Sequence, residues 1–164
     1  VRADWHVYQV LTKRSGRLAR LGKRLPFPPH IWIGVSIESN AFVWRADQLR
    51  EVDASVRFVS AEPLLGPLDK LNLNGISWLI SGGESGPHWR QCEPDWVRDL
   101  RDRCVRGGVA FFHKQWGGRT PKAGGRILDG RTWDEFPVSV DSEPRTDPTR
   151  DVRQLRLPLA AKPS

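Results

Sequence analysis

Methionine is absent from this chain, cysteine occurs only twice and tyrosine once, and acidic residues are the minority charge. No apolar run approaches the roughly 20 residues that a membrane-spanning helix requires, and no signal-peptide pattern opens the sequence, so a cytosolic protein is expected. The two cysteines, Cys92 and Cys104, match no zinc or iron–sulfur spacing. Cys104 falls on the apolar side of an expected helix and reads as a buried, reduced thiol. The lack of methionine, with Val1 directly before a strand, is expected of a piece of a longer protein or of an unusual start codon. The shortage of acids leaves a formal net charge of +7, which favours polyanionic partners without identifying one. Basic residues are densest at Lys13, Arg14, Arg17, Arg20, Lys23 and Arg24, a run that a solvated helix face also explains.

What the chain does have is a repeated grammar. Ile76-Ser77-Trp78-Leu79-Ile80 is a short apolar run that breaks at Gly82-Gly83 and presents Glu84 and Ser85. Val7–Leu11 leads in the same way into Thr12-Lys13-Arg14, and Ile31–Val35 into Ser36-Ile37-Glu38. Val56–Val59 leads into Ser60-Ala61-Glu62-Pro63, and Val109–Phe112 into His113-Lys114-Gln115-Trp116. Helical segments separate most of these runs. Ser15 is placed to cap a helix with Leu18, Leu21 and Leu25 inward. Asn40 caps the next, with Phe42, Ala46 and Leu49 inward and Arg45, Asp47, Arg50 and Glu51 outward. Leu68 to Leu73 leaves room for a short helical turn. Pro94 opens the best-marked helix, with Trp96, Val97, Leu100 and Cys104 as its stripe and Gly107-Gly108 as its stop. Strand–helix alternation at this spacing implies parallel pairing with right-handed crossovers. The fold expected is α/β, a partial (β/α) barrel of about five parallel strands over residues 1–137. Within it, Arg131 to Pro137 reads as a short apolar clasp, and residues 138–164 read as a disordered tail.

In parallel α/β architectures the C-terminal strand ends share one face, and chemistry is done there. The candidate catalytic residues are therefore Lys13, Glu38, Glu62, Glu84 and Lys114, with Thr12, Ser36, Ser60, Ser85 and Gln115 as candidate cofactor-binding groups. Converging carboxylates can bind a cation, an amine or a ribose hydroxyl, or act as acid and base. Each equally can cap a helix or pair with Lys13, Arg14 or Lys114. Gly82-Gly83-Glu84-Ser85-Gly86 can cradle an anion with free N–H groups, or be a tight turn; it is neither a dinucleotide nor a P-loop signature. Trp116 reads as a lid, and Lys114 needs a partner if it points inward. No metal site and no Ser-His-Asp arrangement is visible.

Five ordered segments carry a resemblance: Gln9–Arg14, Gly34–Glu38, Ser60–Pro67, Gly82–Pro87 and Lys114–Gly117. Together they resemble the phage Gp thirty-seven/Gp sixty-eight family of uncharacterised proteins, from about Tyr8 to Pro137. Complete members carry an N-terminal three-cysteine segment similar to the one that holds a [4Fe–4S] cluster in radical-SAM enzymes. The resemblance thus implies a radical-SAM-like barrel whose full-length relatives bind the cluster and S-adenosylmethionine, with the Gly34–Glu38 strand end facing the ribose. This chain has no three-cysteine segment, so it is expected to hold no cofactor and to be inactive alone. Its expected partners are a polypeptide supplying the missing strands, or a second copy. The alternative is a basic nucleic-acid-associated binding module of phage origin. A cluster-free hydrolase using paired glutamates lacks a visible nucleophile or metal.

Overall fold

The computed structural model describes residues 5–138. Five strands, β1 (Tyr8–Thr12), β2 (Ile31–Ser36), β3 (Arg57–Ala61), β4 (Trp78–Gly82) and β5 (Ala110–Gln115), form one sheet in sequential order, every neighbouring pair parallel. The helices are α1 (Ser15–Gly22), α2 (Trp44–Arg50) and α3 (Pro94–Gly107). Each apolar run read from the sequence is a strand, extended by one to three residues toward the polar end.

The strand register explains which residues sit on which face. Ile33, Val35, Val59, Leu79 and Phe111 are fully buried in one core with Ala46 and Leu49 of α2 and Val97, Leu100 and Cys104 of α3. The opposite face carries an aromatic cluster of Trp32, Phe58 and Trp78, flanked by Ile80, Ala110 and Phe112. Register aligns Gly34, Phe58, Trp78 and Ala110 in one row across four strands. Small residues at both ends of that row make room for the two large rings between them. The fit at Gly34 is tight, because a Cβ there would lie 2.4 Å from the Phe58 ring.

The two sheet edges are treated differently. Residues 133–135 run antiparallel beside β5: His113 N–H donates to Trp133 O at 2.8 Å, and Glu135 N–H to Phe111 O at 3.1 Å. Phe136 then lies 5.1 Å from Trp78 and 5.6 Å from Phe112, centroid to centroid. The segment read as a clasp is one. At the other edge, among the described residues, β1 pairs only with β2, and Val7, Tyr8, Val10 and Leu11 are all exposed.

Five local expectations need correction. Ser15 does not cap α1; it is buried, and its Oγ donates to Gln48 Oε1 at 2.7 Å. The helix turns Ser15, Ala19 and Gly22 inward and packs Leu18, half-buried, against the core, leaving Leu21 and Leu25 exposed. Asn40 begins a short 3-10 turn and spends its side chain on Asp69 and the Lys70 N–H, so it caps nothing. Leu68–Leu73 makes turns and no helix. Arg45, read as outward-facing, is buried. The stretch read as a tail lies outside the described residues except for Val138. Among the described residues no helix is long and apolar enough to cross a membrane.

Candidate functional site

Parallel pairing brings the C-terminal ends of all five strands to one side, so the candidate residues share a face at successive strand ends. Glu38 follows β2. Its Oε2 accepts from Arg45 Nη1 at 3.0 Å, and its Oε1 is paired with Lys13 from the end of β1. The same Arg45 Nη1 donates to Ser36 O at 2.7 Å, and the Arg45 guanidinium lies 4.2 Å over the Phe42 ring. Burial alone raises the Glu38 carboxyl, but the hydrogen bond and charge of Lys13, with Arg45, outweigh it and hold the pKa below the ordinary value.

Glu62 follows β3 and takes a different pair of partners. Lys114 Nζ reaches its two oxygens at 3.0 and 3.2 Å, and Gln115 Nε2 donates to Oε1 at 2.8 Å. Consecutive residues of a regular strand point to opposite faces, so Lys114 and Gln115 should not meet one carboxylate. A register shift resolves this: Ser81 pairs with His113, but Gly82 pairs with Gln115, leaving Lys114 as an extra residue. Such irregularities re-aim side chains. Gly82 contributes too, since a Cβ there would lie 3.2 Å from the Glu62 carboxyl carbon.

Glu84 follows β4 and belongs to neither group. Arg90 grips it with Nε at 2.8 Å, Nη2 at 2.6 Å and the backbone N–H at 2.9 Å, holding its pKa down to about 2. The three glutamates thus stand on one face but have separate partners. Glu38 takes Lys13 from the end of the adjacent β1, whereas Glu62 takes Lys114 from the end of β5, two strands away. Among the described residues no group of three or more His, Cys, Asp and Glu side chains is placed to hold a metal ion.

The glycine loop after β4 is locked against the one after β5. Gly83 N–H donates to Gln115 O at 2.8 Å, Gly118 N–H to Glu84 O at 2.9 Å and Gly86 N–H to Gly118 O at 3.0 Å. A Cβ on Gly83 would fall 1.9 Å from Trp116 O, and Gly117 holds φ +77° with a virtual Cβ 2.1 Å from Glu84 O. Only glycine permits this approach. Two of the N–H groups read as an anion cradle, those of Gly83 and Gly86, are therefore already used. Ser85 sits in a bridge with Gly118, and its buried Oγ has no hydrogen-bond partner among the described residues. Ser36 and Ser60 are buried, and Thr12 is half-buried with its Oγ1 accepting from Arg14 N–H at 3.0 Å.

Sequence reasoning missed Arg45 and Arg90. For Arg45 a signal existed: it lies four residues before the buried Leu49, hence on the same helix face. For Arg90, six residues beyond Glu84 in an irregular loop, none did.

Beneath the strand ends His113 is fully buried, its Nδ1 2.9 Å from Ser81 Oγ and its ring 4.4 Å from that of Trp116. Burial, reinforced by the charge of Arg126, lowers its pKa from 6.5 to about 4. An unfolded chain takes up this proton near pH 6.5, the folded one only near 4, so stability falls as pH drops between those values. Between pH 7 and 5 the loss expected from His113 is about 2 kcal/mol, at about 1.4 kcal/mol per pH unit below 6.5. Urea titrations at the two pH values measure it, and His113→Gln should flatten the difference. An equal loss in that variant would mean that His113 is not the responsible group.

Residues 1–137 match a family described as protein of unknown function (DUF5131). No curated protein and no solved structure matches the chain.

Proposed function

The chain belongs to the DUF5131 family, whose function is unknown, and from that premise we propose that it is the C-terminal part of a phage-associated radical-SAM-like barrel protein. In this reading its strand-end face is a ligand-binding wall and not a complete catalytic centre. The supporting observation is the combination of sequential parallel order with lysine–glutamate pairs that tie strand ends together, β1 to β2 and β5 to β3. Sequential order is how barrel walls are built, and polar strand ends are how they acquire chemistry. Lys13–Glu38–Arg45 and Lys114–Glu62–Gln115 each present an exposed ammonium backed by a carboxylate. Lys13 and Lys114 are 60% and 54% exposed, whereas Glu38 and Glu62 are 8% and 22% exposed. An incoming carboxylate or phosphate would meet the ammonium groups first, held in place from behind.

An iron–sulfur cluster, the electron source for radical chemistry on S-adenosylmethionine, does not fit the residues of this chain. Three thiolates are needed and the sequence holds two cysteines. Both are buried, and burial raises Cys92 to about 11 and Cys104 to about 12, so neither is a ready thiolate. On this reading the chain alone is catalytically silent, and the cluster belongs to a preceding segment or a separate polypeptide.

Two measurements test the reading. Anaerobic reconstitution of this chain with iron and sulfide is expected to give no iron–sulfur absorbance, and a stoichiometric cluster would overturn its inactivity alone. A longer DUF5131 protein that includes a three-cysteine segment, treated identically, is expected to take up iron and bind S-adenosylmethionine. Failure of both in a folded preparation would remove the radical-SAM-like assignment.

A further inference from the structure

The arginines of this protein fall into two populations. On α3, Arg98 is paired with Asp95 and Asp129, Arg101 with Asp102 and Asp129, and Arg103 with Asp99, all within 3.0 Å. Those three arginines are neutralised by acids of the same helix and by Asp129. The segment from Lys13 to Leu25 is built otherwise, with six basic residues and no acid. Lys13 is committed to Glu38, and Lys23 approaches Glu51 only to 3.9 Å. Arg14, Arg17, Arg20 and Arg24 are exposed and form no ion pair among the described residues.

Placement makes this more than composition. The inward face of α1, Ser15, Ala19 and Gly22, is buried against α2, which fixes the opposite face outward. Arg17, Arg20, Lys23 and Arg24, with Leu21, line a shallow hollow of about 530 Å³. At 1.5 Å rise per residue the row from Arg17 to Arg24 spans about 10 Å. At about 3.4 Å of duplex axis per phosphate of one strand, that length matches about three phosphates of a duplex strand. Arginine is also the residue whose planar fork matches phosphate oxygens.

We propose that this face of α1, with the turn at Lys23-Arg24, binds the sugar-phosphate backbone of a nucleic acid. Contacts of this kind read charge and spacing, so binding is independent of base sequence. A flat anionic membrane fits less well, because Glu51 and Asp53 line the adjoining hollow that shares Lys23 and Arg24. A bilayer pressed on this surface would meet those acids, whereas a strand following the arginine row need not. The surface is separate from the strand-end lysines, so the proposal stands or falls apart from the radical-SAM-like reading.

Fluorescence anisotropy of the full chain with labelled mixed-sequence 20-mers, as duplex DNA, single-stranded DNA and RNA, tests it at several salt concentrations. The variant carries Arg17→Gln, Arg20→Gln and Arg24→Gln. The control carries Lys70→Gln, Arg106→Gln and Lys122→Gln, removing the same charge elsewhere. Each phosphate contact contributes about 0.9 to the slope of log affinity against log salt for duplex and about 0.7 for single strands. The α1 variant is therefore expected to lose about 2 to 3 in slope and at least tenfold in affinity at 0.1 M salt, with the control close to wild type. Glutamine keeps helix propensity at exposed positions, so melting temperatures should agree. If the triple variant does not fold, Arg20→Gln alone is expected to lower the slope by about one. Equal loss in variant and control, no binding at low salt, or binding of anionic phosphatidylserine vesicles in preference to every oligonucleotide would overturn the proposal.

Discussion

Glu38→Ala is expected to destabilise the fold by about 3–5 kcal/mol, the usual cost of removing one member of a buried ion pair. Glu38 and Arg45 are 6% and 8% exposed. Without the carboxylate, the guanidinium keeps the Ser36 carbonyl and the faces of Phe42 and Trp44, and its Nε is already a buried donor without a partner among the described residues. Glu38→Gln, which keeps the shape and loses the charge, should fall between. The informative companion is a double replacement, Glu38→Leu with Arg45→Met. Exchanging a buried pair for apolar groups of similar size is often neutral, so it should recover most of the loss. Urea midpoints at pH 7 give all three values. A loss below about 1 kcal/mol for Glu38→Ala would show that solvent already compensates Arg45. The pH dependence has a definite sign: a depressed carboxyl pKa gives stability that is present above the unfolded value and lost as pH falls through the folded one.

The same pair shows where sequence reading succeeds and where it stops. Strand positions were legible because burial on both faces demands short continuous apolar runs, and five of them stand in order. That polar residues end those runs on one face followed from parallel pairing alone. Partner choice did not follow. Glu38, Glu62 and Glu84 look equivalent in sequence, yet one is buried on Arg45, one is shared by Lys114 and Gln115, and one is held by Arg90. Partner choice depends on an irregularity in the β4–β5 ladder, on the phase of a seven-residue helix and on the course of a loop. None of these leaves a periodic trace. The α1 phase was legible only in part: leucine spacing suggested the inward face, and Leu18 does pack on the core, but Ser15, Ala19 and Gly22 are the residues buried. The glycines after β4 and β5 were legible as turns, while their mutual contact links positions 83 and 116 and is invisible locally.

The largest effect expected in solution concerns β1. The purified chain should self-associate at micromolar concentration, through the open side of this strand. The β5 edge is occupied by residues 133–135, whereas among the described residues β1 is bonded on one side only. Its apolar side chains are exposed on both faces: Tyr8 and Val10 on the helix side at 36% and 45%, and Leu11 on the aromatic side at 48%. Edges of this kind are ordinarily blunted by charge, proline or cover; Val7 to Leu11 has neither charge nor proline and, among the described residues, no further strand beside it. In a purified sample another copy's β1 is a strand available to pair with it. Tyr8 N–H already donates to His30 O of the β2 side at 2.8 Å, so by alternation the N–H groups of Gln9 and Leu11 face outward. Gln9→Pro therefore deletes an outward donor while sparing the ladder to β2, and Val10→Lys adds a repelling charge. Each should weaken association about tenfold, the equivalent of one net hydrogen bond of about 1.4 kcal/mol. Sedimentation velocity reads this directly. A mass rising with concentration above 18.6 kDa in wild type, and suppressed in both variants, is the expected result. A cooperatively melting wild-type monomer of 18.6 kDa across the whole concentration range would show that β1 needs no partner.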